Sequence, residues 1–307
     1  MNKQEAHGPL SSTIDQYAFI AHPPLLMIGW CNGRTGMYTV DTTTLLIAFG
    51  LTLFAGLSTG IGSLMSFFSK EFSPKFLAAS LGFSAGVMIY VSLVEIFVEA
   101  RVALEGALGA RRGYLVTTIA FFVGIAIIAL IDKLIPEEEN PHEVHAQHEE
   151  GAEDAQSQKL MRMGFFSALA IAIHNFPEGL ATFMAAISDP ALGVSIAIAI
   201  ALHNIPEGVA VSVPIYYATK SRKKAFLYGT LSGLAEPVGA VVGYFLLRRW
   251  FNDVTFGFVF ASIAGIMVYI SLDELLPTAE EYGEHHIAIG GVVAGMAVMA
   301  ISLVLLV

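Results

Sequence analysis

Charge is scarce in this chain of 307 residues: Asp, Glu, Lys and Arg make up 14%, against 55% hydrophobic residues and a mean hydropathy of +0.67. A soluble domain carries about 25% charged residues, so this chain cannot cover a water-facing surface with polar groups. Cysteine is nearly absent, and the single Cys31 excludes a disulfide framework and any cysteine-based zinc module. Basic residues are few as well. The 16 Lys plus Arg stand against 26 Asp plus Glu, a net charge of −10, which excludes nucleic acid as a partner because phosphates demand a basic face. The class that remains is an all-α, polytopic membrane protein, partnered by the lipid bilayer.

A membrane-spanning helix needs about 20 mostly apolar residues. Eight such stretches occur, at 42–69, 76–98, 114–135, 161–187, 190–218, 225–247, 255–277 and 286–307. Residues 1–41 hold only a short apolar patch, Pro23 to Trp30, interrupted by two prolines. It is too short to span and follows no basic region, so residues 1–41 are expected to be a disordered extension rather than a cleaved signal peptide. Residues 42–307 form the membrane domain. Eight spans put both termini on one side. The odd-numbered connections carry nine Lys and Arg residues, whereas the even-numbered ones plus the N-terminal tail carry seven. That bias favours both termini outside.

Two internal repeats are present. Residues 85–95, AGVMIYVSLVE, match residues 264–274, AGIMVYISLDE, at seven of eleven positions. They lie in spans 2 and 7, which cross the bilayer in opposite directions, the mark of an inverted-topology repeat. Spans 1–3 and 6–8 are therefore expected to be related, leaving 4 and 5 between them. The second repeat is that middle pair. His174-Asn175-Phe176-Pro177-Glu178-Gly179 recurs as His203-Asn204-Ile205-Pro206-Glu207-Gly208, on either side of a turn at Ser188-Asp189-Pro190. Each His sits about 14 residues from the turn, roughly 21 Å at 1.5 Å per residue, so the hairpin brings two identical polar boxes to one depth.

Within each box His and Glu are four apart and share a helix face. Imidazole plus carboxylate is a ligand set suited to zinc and its first-row neighbours. Proline at the fourth position removes a donor, leaving the carbonyls of Ile173 and Leu202 free, so both helices are expected to be broken at the boxes. Gly233-Leu234-Ala235-Glu236-Pro237 adds a third Glu–Pro pair in span 6. Ionisable residues at this depth are functional by default. Three carboxylates total about −3, and one divalent cation lowers that to about −1, a charge far easier to bury.

The doubled box followed by GLAEP resembles the ZIP family of divalent metal transporters, in its bacterial zinc-uptake branch, over residues 42–307. The resemblance implies eight helices in a 3+2+3 inverted arrangement with both termini outside, in the inner (plasma) membrane. It also implies inward transport of zinc, with iron, manganese, cobalt and cadmium as further cargo. A binuclear-type site between helices 4, 5 and 6 is implied, with His174, Asn175, Glu178, His203, Asn204, Glu207 and Glu236 as ligands. Some family members carry Asp where this chain has Asn204.

Other residues are weaker candidates. Met88 matches a position where the family offers a thioether. Met on an apolar helix otherwise serves packing, and Met267 is its repeat partner. Glu95, Asp273 and Glu274 lie near the far ends of their repeats, as waypoints at opposite mouths or as solvated interfacial groups. The acidic loop 136–160 spaces His142, His145 and His148 by three, without apolar periodicity. Disorder is expected there, with local metal capture as its function. Glycine pairs such as Gly82/Gly86, Gly229/Gly233, Gly239/Gly243 and Gly291/Gly295 fit close helix packing; they leave a homodimer open.

Enzymatic function is not expected. A metalloprotease needs a string such as H-E-x-x-H, which does not occur. Metal export and a non-transporting metal sensor are the rival readings; duplicated inverted repeats suit alternating access better than sensing.

Overall fold

The computed structural model describes residues 41–65, 73–134, 153–247, 249–250, 252–282 and 285–306, all within one compact unit. They form eight long helical rods and, among the described residues, no strand. The rods are α1 (Thr42–Leu64), α2 (Pro74–Leu108), α3 (Ala110–Leu134), α4 (Glu153–Ser188), α5 (Pro190–Thr219), α6 (Arg222–Leu247), α7 (Asp253–Tyr282) and α8 (His285–Leu306). Seven of the eight, all but α4, are long and apolar enough to cross a membrane. The chain is thus an all-helical, multi-pass membrane protein.

Most starts are written in the sequence. Asp41, Ser73, Asp189, Ser221 and Asn252 each accept a hydrogen bond from a backbone N–H of the first turn, the usual satisfaction of orphan helix donors. Pro74 and Pro190 follow two of these caps, where a missing N–H costs nothing. Asp41 receives the Thr44 amide at 2.9 Å and the Thr44 hydroxyl at 3.0 Å, and those bonds hold its carboxyl below the usual range. Between α2 and α3, Gly109 adopts φ 82°, a conformation that glycine enters without a Cβ penalty.

Helix α4 begins at Glu153, eight residues before the expected span. Residues 153–160 are therefore helical rather than loop. The stretch 135–152, which contains His142, His145 and His148, lies outside the described residues, as do residues 1–40.

Helix α5 is the central rod, packed against α1, α2, α4 and α6. Two further pairings flank it, α2 on α8 and α3 on α7. The glycine pairs explain how closely these rods approach. A Cβ on Gly82 or Gly86 would strike the backbone of α8, and one on Gly291 or Gly295 the backbone of α2. The α2–α8 pairs are thus spent within the chain. Large apolar side chains such as Phe54, Phe122, Phe245 and Leu305 point outward, whereas the polar residues His174, Asn175, Glu178, His203, Asn204, Glu207 and Glu236 are buried. This inside-out distribution is the one that a hydrocarbon solvent selects.

Both copies of the first repeat contain the same irregularity. Helix α2 widens into a π-helical turn at Ser92–Ile96 and α7 does so at Ser271–Leu275, equivalent positions of the two repeats. Each turn opens on a serine hydroxyl that donates to a methionine carbonyl four residues earlier: Ser92 to Met88 at 2.6 Å and Ser271 to Met267 at 2.7 Å.

Candidate metal centre

The α4–α5 hairpin turns on Asp189 alone, and its two rods pack along their length. Both run without interruption through Pro177 and Pro206. The expected breaks at the boxes do not occur, because a helix can lose one hydrogen bond where neighbouring helices cover it. The break lies in α6, at Leu234 between Gly233 and Ala235. There Pro237 cannot donate to the Gly233 carbonyl, which lies instead against Gly56 of α1.

The antiparallel hairpin decides how the boxes pair. His and Glu share a face within each box, but reversal of direction sets each His opposite the other box's Glu. His203 Nε2 lies 3.3 Å from Glu178 Oε2, within hydrogen-bond geometry. His174 Nε2 lies 3.4 Å from Glu207 Oε2. All four side chains are buried, at 2% exposure or less.

Other helices close on these two pairs. From α2, the Ser84 hydroxyl lies 3.3 Å from both Glu207 Oε1 and the His203 carbonyl. The π-turn of α7 brings Glu274 Oε2 to 3.5 Å from His174 Nδ1. Asn204 donates to the Ala55 carbonyl of α1 at 2.9 Å and to Glu236 Oε1 of α6. Asn175 donates to the Ser232 carbonyl of α6 at 3.3 Å.

Of the weaker candidates, Glu274 thus reaches the boxes. Asp273, its neighbour, engages Tyr269, and Glu95 is half-buried in the π-turn of α2. Met88 and Met267 are both buried in the main hydrophobic core. Ser84 was not legible as a site residue. Its only signal is that it lies one turn before Met88, immediately outside the repeat.

The centre holds more lone pairs than donors. Glu178 Oε1, Glu236 Oε2, Asn175 Oδ1, Asn204 Oδ1 and His203 Nδ1 are buried without a hydrogen-bond partner. Buried polar atoms are paired in the great majority of cases, and each orphan costs about 1–3 kcal/mol. These atoms are carboxylate, amide and imidazole lone pairs, so a divalent cation is the chemical partner that suits them. Among the described residues, no three His, Cys, Asp or Glu side chains form a ready-made metal cage; the groups stand as two crossed pairs with Glu236 beside Asn204.

The family model described as ZIP Zinc transporter matches residues 132–303. Curated relatives match nearly end to end. The Zinc transporter ZupT of Chlorobium chlorochromatii is 69% identical over 265 residues, covering 86% of this chain and 99% of that protein. The proteins of the same name from Chlorobaculum parvum and Clostridium perfringens are 68% and 59% identical, covering 85% and 86% of this chain and 98% of each relative.

Proposed function

This chain belongs to the ZIP family of zinc transporters, in its ZupT-type branch, and from that premise we propose that it carries zinc into the cytoplasm through the crossed His–Glu pairs of α4 and α5. The observation that carries this reading is the pairing itself: two buried imidazoles and two buried carboxylates, 3.3 and 3.4 Å apart, contributed reciprocally by two identical boxes. Neutral imidazole and ionised carboxylate bind first-row divalent cations. His174, Glu178, His203 and Glu207 are the central ligands. Asn175, Asn204 and Glu236 extend the site toward a second cation position, and Met88 offers a thioether from α2. Iron, manganese, cobalt and cadmium share the same ligand chemistry and are further cargo.

Alternating access is supported by the way the repeats pair. Helix α2 packs on α8 while α7 packs on α3, and α1 packs on α5 while α6 packs on α4. Each pairing is the exchange partner of the other when spans 1–3 are matched to spans 6–8. The matched π-turns at Ser92 and Ser271 follow the same exchange. A carrier built from two such halves can open to one side or the other around a fixed centre. External termini rest on the Lys/Arg bias of the connections, and inward direction rests on the likeness to the zinc-uptake branch of the family.

Zinc flux in proteoliposomes of defined orientation tests this reading. Saturable zinc entry from the face bearing the termini is expected, lost in Glu207→Ala. Flux only in the opposite direction would make the protein an exporter, and zinc binding without flux would make it a sensor.

A further inference from the structure

Helix α1 buries four hydroxyls among the described residues. Three of them return to their own helix: Thr52 donates to Ala48 at 2.9 Å, Ser58 to Ala55 at 2.5 Å and Ser63 to Thr59 at 2.9 Å. Thr59 does not. Its natural acceptor is the carbonyl four residues earlier, Ala55. That oxygen already accepts from the Ser58 hydroxyl and from the Asn204 amide at 2.9 Å, on top of the helical bond from the Thr59 backbone amide, and so exceeds the two lone pairs of a carbonyl. Thr59 Oγ1 is left fully buried and without a partner.

Its place matters more than its isolation. The Thr59 hydroxyl packs on Gly233, where a Cβ would meet Thr59 Oγ1 at 2.8 Å. Gly233 follows Ser232, whose carbonyl receives the Asn175 amide at 3.3 Å. Thr59 and Asn175 thus approach one peptide of α6, and Asn175 Oδ1 is itself without a partner.

Helices α1 and α6 also match residue for residue around this point. Gly56 and Gly233 approach each other's carbonyls reciprocally. Gly62 lies on the Ile205 carbonyl and Gly239 on the Phe176 carbonyl, the third residue of each box. Aligning these glycines aligns Ala55 with Ser232, the two carbonyls that hold the box asparagines. It also aligns Thr59 with Glu236. One half of the centre therefore presents a carboxylate where the other presents a hydroxyl.

We propose that Thr59 is a further cargo-contacting residue, its hydroxyl oxygen joining the ligand shell of the divalent cation as the neutral counterpart of Glu236. The proposal rests on the reading of the boxes as the cargo site. It gives the centre a charged side at Glu236 and Asn204 and an uncharged side at Thr59 and Asn175. A cation is held more weakly on the uncharged side, because a carboxylate attracts it charge to charge whereas a hydroxyl offers only a dipole.

The test uses the purified full-length chain with zinc as probe, titrated at equilibrium alongside thermal melting with and without zinc. Thr59→Val keeps the shape and removes the hydroxyl; Thr59→Ser keeps the hydroxyl. An orphaned buried hydroxyl costs stability, so the valine variant is expected to melt no lower than wild type without zinc. Its zinc affinity should nevertheless fall about three- to tenfold, the equivalent of one polar contact, with a smaller zinc-induced rise in melting temperature. Thr59→Ser should bind within about twofold of wild type. Wild-type affinity in a folded valine variant overturns the role of Thr59, as does an equal loss in the serine variant. If the valine variant does not fold, Thr59→Ala decides by the same readings. A wild-type chain that binds no zinc instead overturns the reading of the centre as a cargo site.

Discussion

Ser92 and Ser271 occupy equivalent places in the two repeats, and each opens a π-helical turn by donating its hydroxyl to a methionine carbonyl at 2.6 and 2.7 Å. Single π-turns inside helices mark functional positions. The one in α7 has a visible consequence here, since Glu274 within it reaches His174 at 3.5 Å. Removing the hydroxyl by Ser271→Ala weakens the closure of that turn. Zinc affinity is expected to fall by up to about tenfold, the equivalent of one net hydrogen bond. An equilibrium zinc titration checks this; unchanged affinity would separate the turn from the site.

The crossed pairs give the strongest loss-of-function expectation. Ala at His174, Glu178 or Glu207 should abolish saturable zinc uptake while the protein remains folded in the membrane. Each substitution removes a ligand and also strands its partner, which lies within 3.4 Å. Uptake assays with a membrane-abundance control decide the point. Near-normal uptake in Glu207→Ala would place the cargo elsewhere.

A packing substitution should act differently. A Cβ on Gly62 would collide with the Ile205 carbonyl of α5, inside the box that carries Glu207. Gly62→Ala is expected to destabilise the fold by about 1–3 kcal/mol, the usual cost of overpacking. Thermal melting of the metal-free protein should show the loss. The same change at Gly50, where nothing lies within 4 Å of a Cβ, should leave the melting temperature nearly unchanged.

The histidines of the acidic loop are expected to assist capture and to leave the carrier itself intact. Replacing His142, His145 and His148 together with Ala should keep maximal zinc flux within a few-fold of normal. Complete loss at normal expression would draw the loop into the translocation path.

Much of the architecture was legible because a bilayer constrains sequence so strongly. The expected span at 190–218 becomes Pro190–Thr219, since Asp189 caps its start and Lys220 stands at its end, and the one at 286–307 is helical over His285–Leu306. The boxes were equally visible, because His and Glu are rare inside apolar helices. The crossed arrangement was less so. Spacing of four puts His174 and Glu178 on one face, but which Glu meets which His depends on how two antiparallel rods slide past each other. A relation of α1 to α6 was expected from the repeat in spans 2 and 7, but its residue-by-residue register was not readable, for a different reason. It resides in glycines such as Gly56 and Gly239, whose meaning is a close backbone contact rather than a side chain. Thr59 carries no signal at all until Asn204 and Ser58 are seen to occupy its acceptor. Prolines misled: Pro177 and Pro206 leave their helices continuous, and the break falls at Leu234 instead.

Protons and zinc compete for the same lone pairs of the crossed His–Glu pairs. Metal ligands must be deprotonated, so zinc entering an imidazole–carboxylate centre displaces protons, and affinity must rise with pH. Unperturbed histidine and glutamate titrate near about 6.5 and about 4.3, so the informative interval runs from about pH 5.5 to about pH 7.5. The measurement is zinc affinity of the purified protein across that interval, with proton release recorded in a weakly buffered titration. Affinity is expected to weaken steadily as pH falls and each zinc bound to release protons, with both effects reduced in a variant lacking His174 and His203. Affinity that is flat across the interval, with no proton released, would contradict zinc binding at the crossed pairs.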